Sequence, residues 1–501
     1  MAARNKPRSF LSHTATYAVG NIVRRMVGFA MLPIYTRFLT PADYGVVGLL
    51  TFALALFEPI LGARLGAAIP KFYYDAEDDR ARRSVIWGGL AFTGGVSAVS
   101  LVFLVMFRES GSELLFGTQR YAFAMGLFFV ALLSQPVEQT GMMYMRMKER
   151  SGLFLTLSLM KLLLQLGLNL ALVVYWRLGV LGVVVSTVTS SMVLGIAVTS
   201  YVAFRERPAF DWGITRKMIQ FCWPLWMSGL AGLYIGSSGG VYLRVFDTLS
   251  DVGRLELALR FAAVVVMLIW NPFYQHWEPM SFKYYREGDG RWRFQAAFIA
   301  MAAVLFSGGI GIALLGGPVI QIMASKPFHS AGSVVPILTL GFVLNSLRSF
   351  FSFGFMATGN TRIHTVCQYV TALVITGAYV ILVPRFGLMG AAFAQCAAFA
   401  VGFVFVWSLS RRYFDPGFNI TVIGIYTGIG LLAYVLAAHV VSVTTVGTEV
   451  VVRSVVVICA TALIAIIALR EAKLADGIIG ENLPWPLNRI QRLDLGRHRR
   501  G

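Results

Sequence analysis

The residues of this chain best equipped for chemistry are arginines set inside apolar segments. Arg24 and Arg25 stand near the middle of one such segment (10–36), and Glu58 and Arg64 stand inside the next (44–70). An arginine at the centre of a membrane helix costs about 2.5–3.5 kcal/mol on insertion scales, so it is expected to face a water-filled cavity or a partner and to mark a path for a polar cargo. Tyr17, Asn21, Arg24 and Gly28 recur at helical spacing and share one face, whereas Arg25 falls with Ala18, Ile22 and Phe29. Arg24 is therefore the better cavity candidate of the two. Glu58 and Arg64 cannot share a face directly, so each needs its own partner; Glu256 and Arg260, four apart and on one face, can form an internal salt bridge with no role in substrate binding. Lys161, Arg348 and Glu138 complete the set. Cations (Arg24, Arg25, Arg64, Lys161, Arg244, Arg260, Arg348) outnumber acids (Glu58, Glu138, Asp247, Glu256 and, at the edge, Glu278). The head of the cargo is thus expected to be anionic, and guanidinium forks match phosphate oxygens bidentately. Glu58 and Glu256 are the candidates for coupling to protons or sodium, through a carboxyl pKa raised by burial.

The elements that must position these groups follow from composition. With 57% hydrophobic and 13% charged residues over 501 positions, the chain has more apolar surface than a soluble core can hide, and the reading is an all-α polytopic membrane protein. At 1.5 Å per residue across a hydrocarbon core of about 30 Å, about fourteen segments are long enough to span. They fall near 10–36, 44–70, 84–107, 121–145, 152–175, 178–203, 218–243, 252–277, 294–316, 332–357, 363–383, 387–409, 419–441 and 451–470. Pro59, Pro136 and Pro224 fall inside spans, which membrane helices tolerate. The basic start, MAARNKPRSF, resembles the opening of a signal peptide, but the following run is broken by Asn21, Arg24 and Arg25 and lacks a small-residue cleavage site, so it is read as the first span.

Charge sets the orientation. The N-terminal tail, KFYYDAEDDRARR, MRMKER, RERPAFDWGITRK, KYYREGDGRWR, the turn at Arg362, RRYFDPG and the C-terminal tail together carry most of the 43 Lys and Arg. These alternate connections are expected in the cytoplasm, with both termini. The net charge of +19 is then a consequence of topology, with attraction to anionic headgroups as a secondary effect, and nucleic acid is not an expected partner. The four cysteines lie in apolar segments without CxxC spacing and read as packing residues. His276 and Glu278 have no metal-ligand company, and no phosphate loop, HExxH or GxSxG occurs. No cofactor, metal, nucleotide or catalytic residue is expected, and the short loops leave function to the bundle.

Two strings recur in order. TRFLTPADYGVVGL (36–49) resembles LRVFDTLSDVGRLEL (243–257), matching Arg37 with Arg244, Asp43 with Asp251 and Gly45 with Gly253; KFYYDAEDDRARR (71–83) resembles KYYREGDGRWR (283–293). The copies lie six spans apart, an even number, so the halves share one orientation. The expected layout is a six-helix lobe over 1–209, a second over 210–415, two added helices over 416–470 and a basic tail over 471–501. The short strings can also recur by chance at helix ends.

IYTRFLTPADYGVVGL after a first helix beginning near TYAVGN, with a second helix ending in IPKFYYD, resembles the bacterial oligosaccharide and polysaccharide flippases of the multidrug/oligosaccharidyl-lipid/polysaccharide exporter superfamily. The resemblance covers most of the chain through loose motifs. It implies two pseudo-symmetric lobes around a central cavity that opens alternately to the two faces of the bacterial inner membrane. The implied cargo is an undecaprenyl-diphosphate-linked oligosaccharide, moved outward without bond chemistry, with glycan assembly proteins as possible partners. The lipid II flippase, a relative, looks similar in using arginines on its first, second and eighth helices, which by position are Arg24, Arg64 and Arg260 here; Asn21, Arg25 and Arg348 are the accessory cavity candidates. A cation-coupled multidrug antiporter of the same superfamily and a membrane glycan polymerase or ligase are the rival readings. The excess of arginine argues against the first, and the lack of a large outward loop against the second.

Overall fold

The computed structural model describes residues 29, 31–60, 65–286, 291–441 and 446–479. The expected first span, with Asn21, Arg24 and Arg25, therefore lies outside the described residues except for its last turns, and Arg64 lies outside them too. By their contacts the residues group into two units. The first takes Met1–Glu256, Met323–Phe328 and Tyr379–Ala391; the second takes Leu257–Ile322, His329–Ala378 and Ala392–Gly501.

The helices of the first unit are α1 (Leu32–Phe38), α2 (Pro41–Ile60), α3 (Ala68–Asp75), α4 (Asp79–Met106), α5 (Arg108–Phe116), α6 (Ala122–Phe129), α7 (Ala131–Met147), α8 (Ser151–Asn169), α9 (Val180–Arg205), α10 (Trp212–Ser237) and α11 (Gly239–Phe246). Helix α12 (Leu249–Ala262) begins in this unit and ends in the second, where α13 (Asn271–Arg286), α14 (Arg291–Met323), α15 (Val335–Ala357), α16 (Thr361–Ser410), α17 (Thr421–Val441) and α18 (Val446–Ile479) follow. Ten helices among the described residues are long and apolar enough to cross a membrane. The protein is thus an all-helical, multi-pass membrane protein. The expected spans at 363–383 and 387–409 are the two helical halves of α16, which meet at Gly387, whose φ of 51° and ψ of −127° are not helical. The expected spans at 218–243 and 252–277 are helical but are not among the ten. Lys217, Arg216 and several tryptophans and serines dilute α10, and α12 is short and gives way to a π-helical turn over Val266–Trp270. Pro59, Pro136 and Pro224 sit inside α2, α7 and α10.

In lipid, helices gain little from hydrophobic burial and are held by close packing and hydrogen bonds. The first unit packs α9 and α4 against α7, with small residues at the crossings. A Cβ on Gly141 of α7 would sit 1.8 Å from Val198 Cγ1 of α9, and one on Gly195 would sit 3.3 Å from the Ser134 carbonyl. Its core runs through Ile69, Leu90, Met145, Val198, Cys222 and Trp226. The second unit is cored by aromatic rings: Trp277, Phe294, Phe298, Phe350, Phe351 and Phe353 are buried, and Phe298 meets Phe350 edge-on at 5.4 Å.

Candidate functional site

The strings matched in the sequence open helices in the same way. Before α2, Thr40 Oγ1 donates to Asp43 Oδ2 (2.7 Å) and accepts from the Asp43 N–H (3.2 Å); before α12, Thr248 Oγ1 donates to Asp251 Oδ2 (2.5 Å) and accepts from the Asp251 N–H (3.1 Å). Each is a reciprocal cap that satisfies an otherwise orphaned N–H in the first helical turn. Two residues beyond each aspartate stands a glycine, and these two glycines touch. A Cβ on Gly45 would lie 2.3 Å from the Leu249 carbonyl oxygen, and one on Gly253 would lie 1.8 Å from the Pro41 carbonyl oxygen. The crossing is reciprocal about the Gly45–Gly253 contact and has no room for any side chain there. One turn further, Glu256 lies over Gly48, where a Cβ would meet its Cγ at 2.5 Å.

In the first unit, neighbouring residues of α7 meet a charged residue from each of two other helices. Glu58, nearly buried in the last turn of α2, accepts from Gln139 Nε2 at 3.2 Å. Beside it, Glu138 accepts from Lys161 Nζ of α8 at 2.5 Å. A cavity of about 180 Å³ opens among Glu138, Gln139, Arg146, Ser158 and Lys161. Thus Lys161 and Glu138 are partners, and the Gln139 amide is one partner of Glu58. Gln139 was not a candidate in the sequence, where a neutral amide next to a glutamate gives no signal. Arg244 is likewise accounted for: its Nε donates to the Phe116 carbonyl at 2.5 Å, where α5 ends in left-handed Gly117. A guanidinium at that end complements the helix dipole.

In the second unit Arg348 is only 8% exposed. Its guanidinium donates to Gln368 Oε1 (3.0 Å) and Thr371 Oγ1 (3.3 Å) of α16, and Gly402 leaves the space, since a Cβ there would stand 3.1 Å from Arg348 Nη1. Arg260 lies exposed in the last turn of α12. Of the cavity candidates, the structure therefore describes Glu58 and Glu256 in the first unit and Arg260 and Arg348 in the second. Among the described residues no group of three or more His, Cys, Asp or Glu could hold a metal ion.

A chain of long apolar helices broken at Pro and Gly, with polar pairs buried between them, defines the class as a polytopic helical membrane protein. Residues 10–284, more than half of the chain, match the family described as "Polysaccharide biosynthesis protein", and the chain belongs to that family. Its fold is similar to that of a solved structure described as lipid II flippase MurJ in an inward closed conformation (TM-score 0.73, 12% identity, covering 92% of this chain and 99% of that one). It is also similar to an inward-facing multidrug resistance MATE family transporter of the MOP superfamily (TM-score 0.57, 14% identity, 79% and 97%). A third likeness is to the MATE multidrug transporter DinF-BH (TM-score 0.53, 15% identity, 82% and 97%). No curated protein sequence matches the chain.

Proposed function

We propose that this protein is a transporter of the inner membrane that carries an undecaprenyl-diphosphate-linked oligosaccharide from the cytoplasmic to the outer leaflet by alternating access. The observation that carries the reading is the excess of arginine over acid within the apolar segments of a chain that belongs to the polysaccharide biosynthesis family and shares the fold of a lipid II flippase. In this reading fourteen spans form two six-helix lobes and a trailing pair. Arg24, Arg64 and Arg260 hold the diphosphate, with Asn21 and Arg25 beside them, while Glu58 and Glu256 couple transport to an ion gradient. Arg348 serves either the same cavity or, through its bonds to Gln368 and Thr371, the packing of its own unit.

The test measures glycan export and membrane abundance together. Arg24→Lys, Arg64→Lys and Arg260→Lys keep the charge and lose the planar fork, so each should cut export about tenfold at unchanged abundance, roughly the worth of one charge-assisted hydrogen bond. Normal export at normal abundance removes that arginine from the site. A rise in tolerance to cationic drugs in a pump-deficient host, with no change in glycan export on deletion, would make the chain a multidrug antiporter instead.

A further inference from the structure

Each unit carries a cleft where its helices end, and the two clefts are built from the recurring strings. In the first unit, Tyr73, Arg82 and Arg83 from KFYYDAEDDRARR meet Lys148 and Glu206 around about 230 Å³. In the second, Tyr284, Tyr285 and Arg291 from KYYREGDGRWR meet Arg411, Arg412 and Tyr413 around about 500 Å³.

The first cleft shows what this arrangement of donors takes. Glu206, just past the sixth expected span, lies among the basic groups; its Oε1 accepts from Lys148 Nζ at 2.9 Å and from the Tyr144 hydroxyl at 2.8 Å. Asp79 pairs with Arg82 at 3.3 Å. The protein thus supplies its own anions. Just past the twelfth expected span, the second unit has Arg411 and Arg412 instead of an acid. Among the described lining residues the carboxylate is Asp415, and it is committed: it pairs with Arg411 Nε at 3.1 Å and accepts from the Gly417 N–H at 2.9 Å. Arg291 and Arg412 have no ion-pair partner among the described residues. The floor is rigid, because Tyr285 and Phe294 both pack edge-on against Phe414 at 5.2 and 5.0 Å. The cleft is larger than its counterpart and, among the described residues, keeps two guanidiniums without an ion pair, together with tyrosine hydroxyls.

Its depth in the bilayer selects among anions. Arg291 begins one apolar span and Ser410 ends another, so Tyr284, Tyr285, Arg411 and Arg412 stand where the hydrocarbon gives way to headgroups. We propose that this cleft binds the phosphate headgroup of an anionic phospholipid, a site separate from Arg24, Arg64 and Arg260 and independent of the cargo. Phosphate oxygens match guanidinium forks and phenol donors, and a headgroup reaches this level with its acyl chains still in the membrane.

The experiment is native mass spectrometry of the purified full chain titrated with short-chain phosphatidylglycerol, phosphatidylcholine or pyrophosphate. Phosphatidylglycerol should be retained over phosphatidylcholine. The double variant Arg291→Gln/Arg412→Gln should weaken it about thirtyfold, each arginine near an anionic surface contributing a factor of about five. Arg412→Glu, which copies the acid of the first unit, should abolish the preference. Arg82→Gln/Arg83→Gln, in the cleft that holds its own acids, should leave it unchanged. All four residues are on helix ends, and an unchanged thermal transition in detergent verifies folding for each variant. Equal retention of the two lipids, or equal binding by the Arg291/Arg412 double variant, would overturn the site. Pyrophosphate binding as tight as the lipid and lost in the same double variant would overturn the lipid and make the ligand a soluble phosphate.

Discussion

Lys161 and Glu138 are 24% and 13% exposed, and removing one of two such partners leaves the other charge against apolar surface. Lys161→Met should therefore lower stability by about 2 kcal/mol, less than for a fully buried pair because both side chains retain some solvent. Lys161→Met/Glu138→Gln should recover most of that loss, read as the thermal transition in detergent. If Lys161 served cargo instead, the single variant would keep its stability and lose export. A second pair outside the membrane sets a pH window. Burial would raise the Glu206 carboxyl, but the hydrogen bonds from Lys148 and Tyr144 outweigh it and hold the group below its ordinary 4.5. Burial would lower the Lys148 ammonium, but its bonds to Glu206 and Tyr73 hold it above its ordinary 10.5. A depressed acid stabilises above its unfolded pKa and loses that contribution as pH falls through the folded value; a raised amine stabilises below its unfolded pKa and loses it as pH rises through the folded value. The pair's contribution should be flat between pH 4.5 and 10.5 and fall away on both sides, and Lys148→Ala should remove it, as followed by thermal transitions across pH. Lys161 and Glu138 were legible in the sequence because charge inside an apolar run is conspicuous; Lys148 and Glu206, in polar connections, were not. Gln139, Gln368 and Thr371 were not, since neutral groups acquire meaning only from the partner that the fold brings up.

At the scale of elements, Thr-Pro-Ala-Asp and Thr-Leu-Ser-Asp announce helix starts, and they cap α2 and α12 through the same pair of bonds. Their likeness was readable, but not the contact between the glycines that follow them, which lie about 200 residues apart in the chain. Nothing local encodes that meeting; it depends on how the intervening helices pack. The contact makes a sharp demand. A methyl on Gly253 would come within 1.8 Å of the Pro41 carbonyl, and backbone cannot yield as a flexible side chain can. Gly253→Ala and Gly45→Ala should each destabilise by about 1–3 kcal/mol, the usual cost of overpacking, whereas Gly95→Ala, with open space around it, should not destabilise. Thermal transitions of the three variants test this, and a normal transition for both Gly253→Ala and Gly45→Ala would mean that the helices part easily at the crossing. The two spans expected at 363–383 and 387–409 match the two helical halves of α16, and Gly387 turns the backbone between them without leaving a loop.

For the whole molecule, composition and apolar length were enough to define a helical membrane protein, because 57% hydrophobic residues cannot be hidden in water and each span must satisfy its own backbone. The grouping of the chain was beyond that reading. Met323–Phe328 and Tyr379–Ala391 belong with the first unit, the former through contacts such as Ser325 Oγ donating to the Thr36 carbonyl at 2.5 Å and Arg254 Nε donating to the Pro327 carbonyl at 3.0 Å. Those carbonyls are backbone groups, which any residue carries, so no side-chain pattern foretells them. Orientation remains the property most directly governed by charge. The connections at 71–83, 146–150, 205–217, 283–293 and 411–412 are rich in Arg and Lys, while the turns between the opposite helix ends are poor in them. Under the positive-inside bias the first group should face the cytoplasm. A reporter fused after Arg412, or within 283–293, should read as cytoplasmic, and one beside Lys326 should read as external. An external reading at 283–293 would break the even spacing of the repeated strings as well as the orientation, since helices separated by six spans must start from the same face.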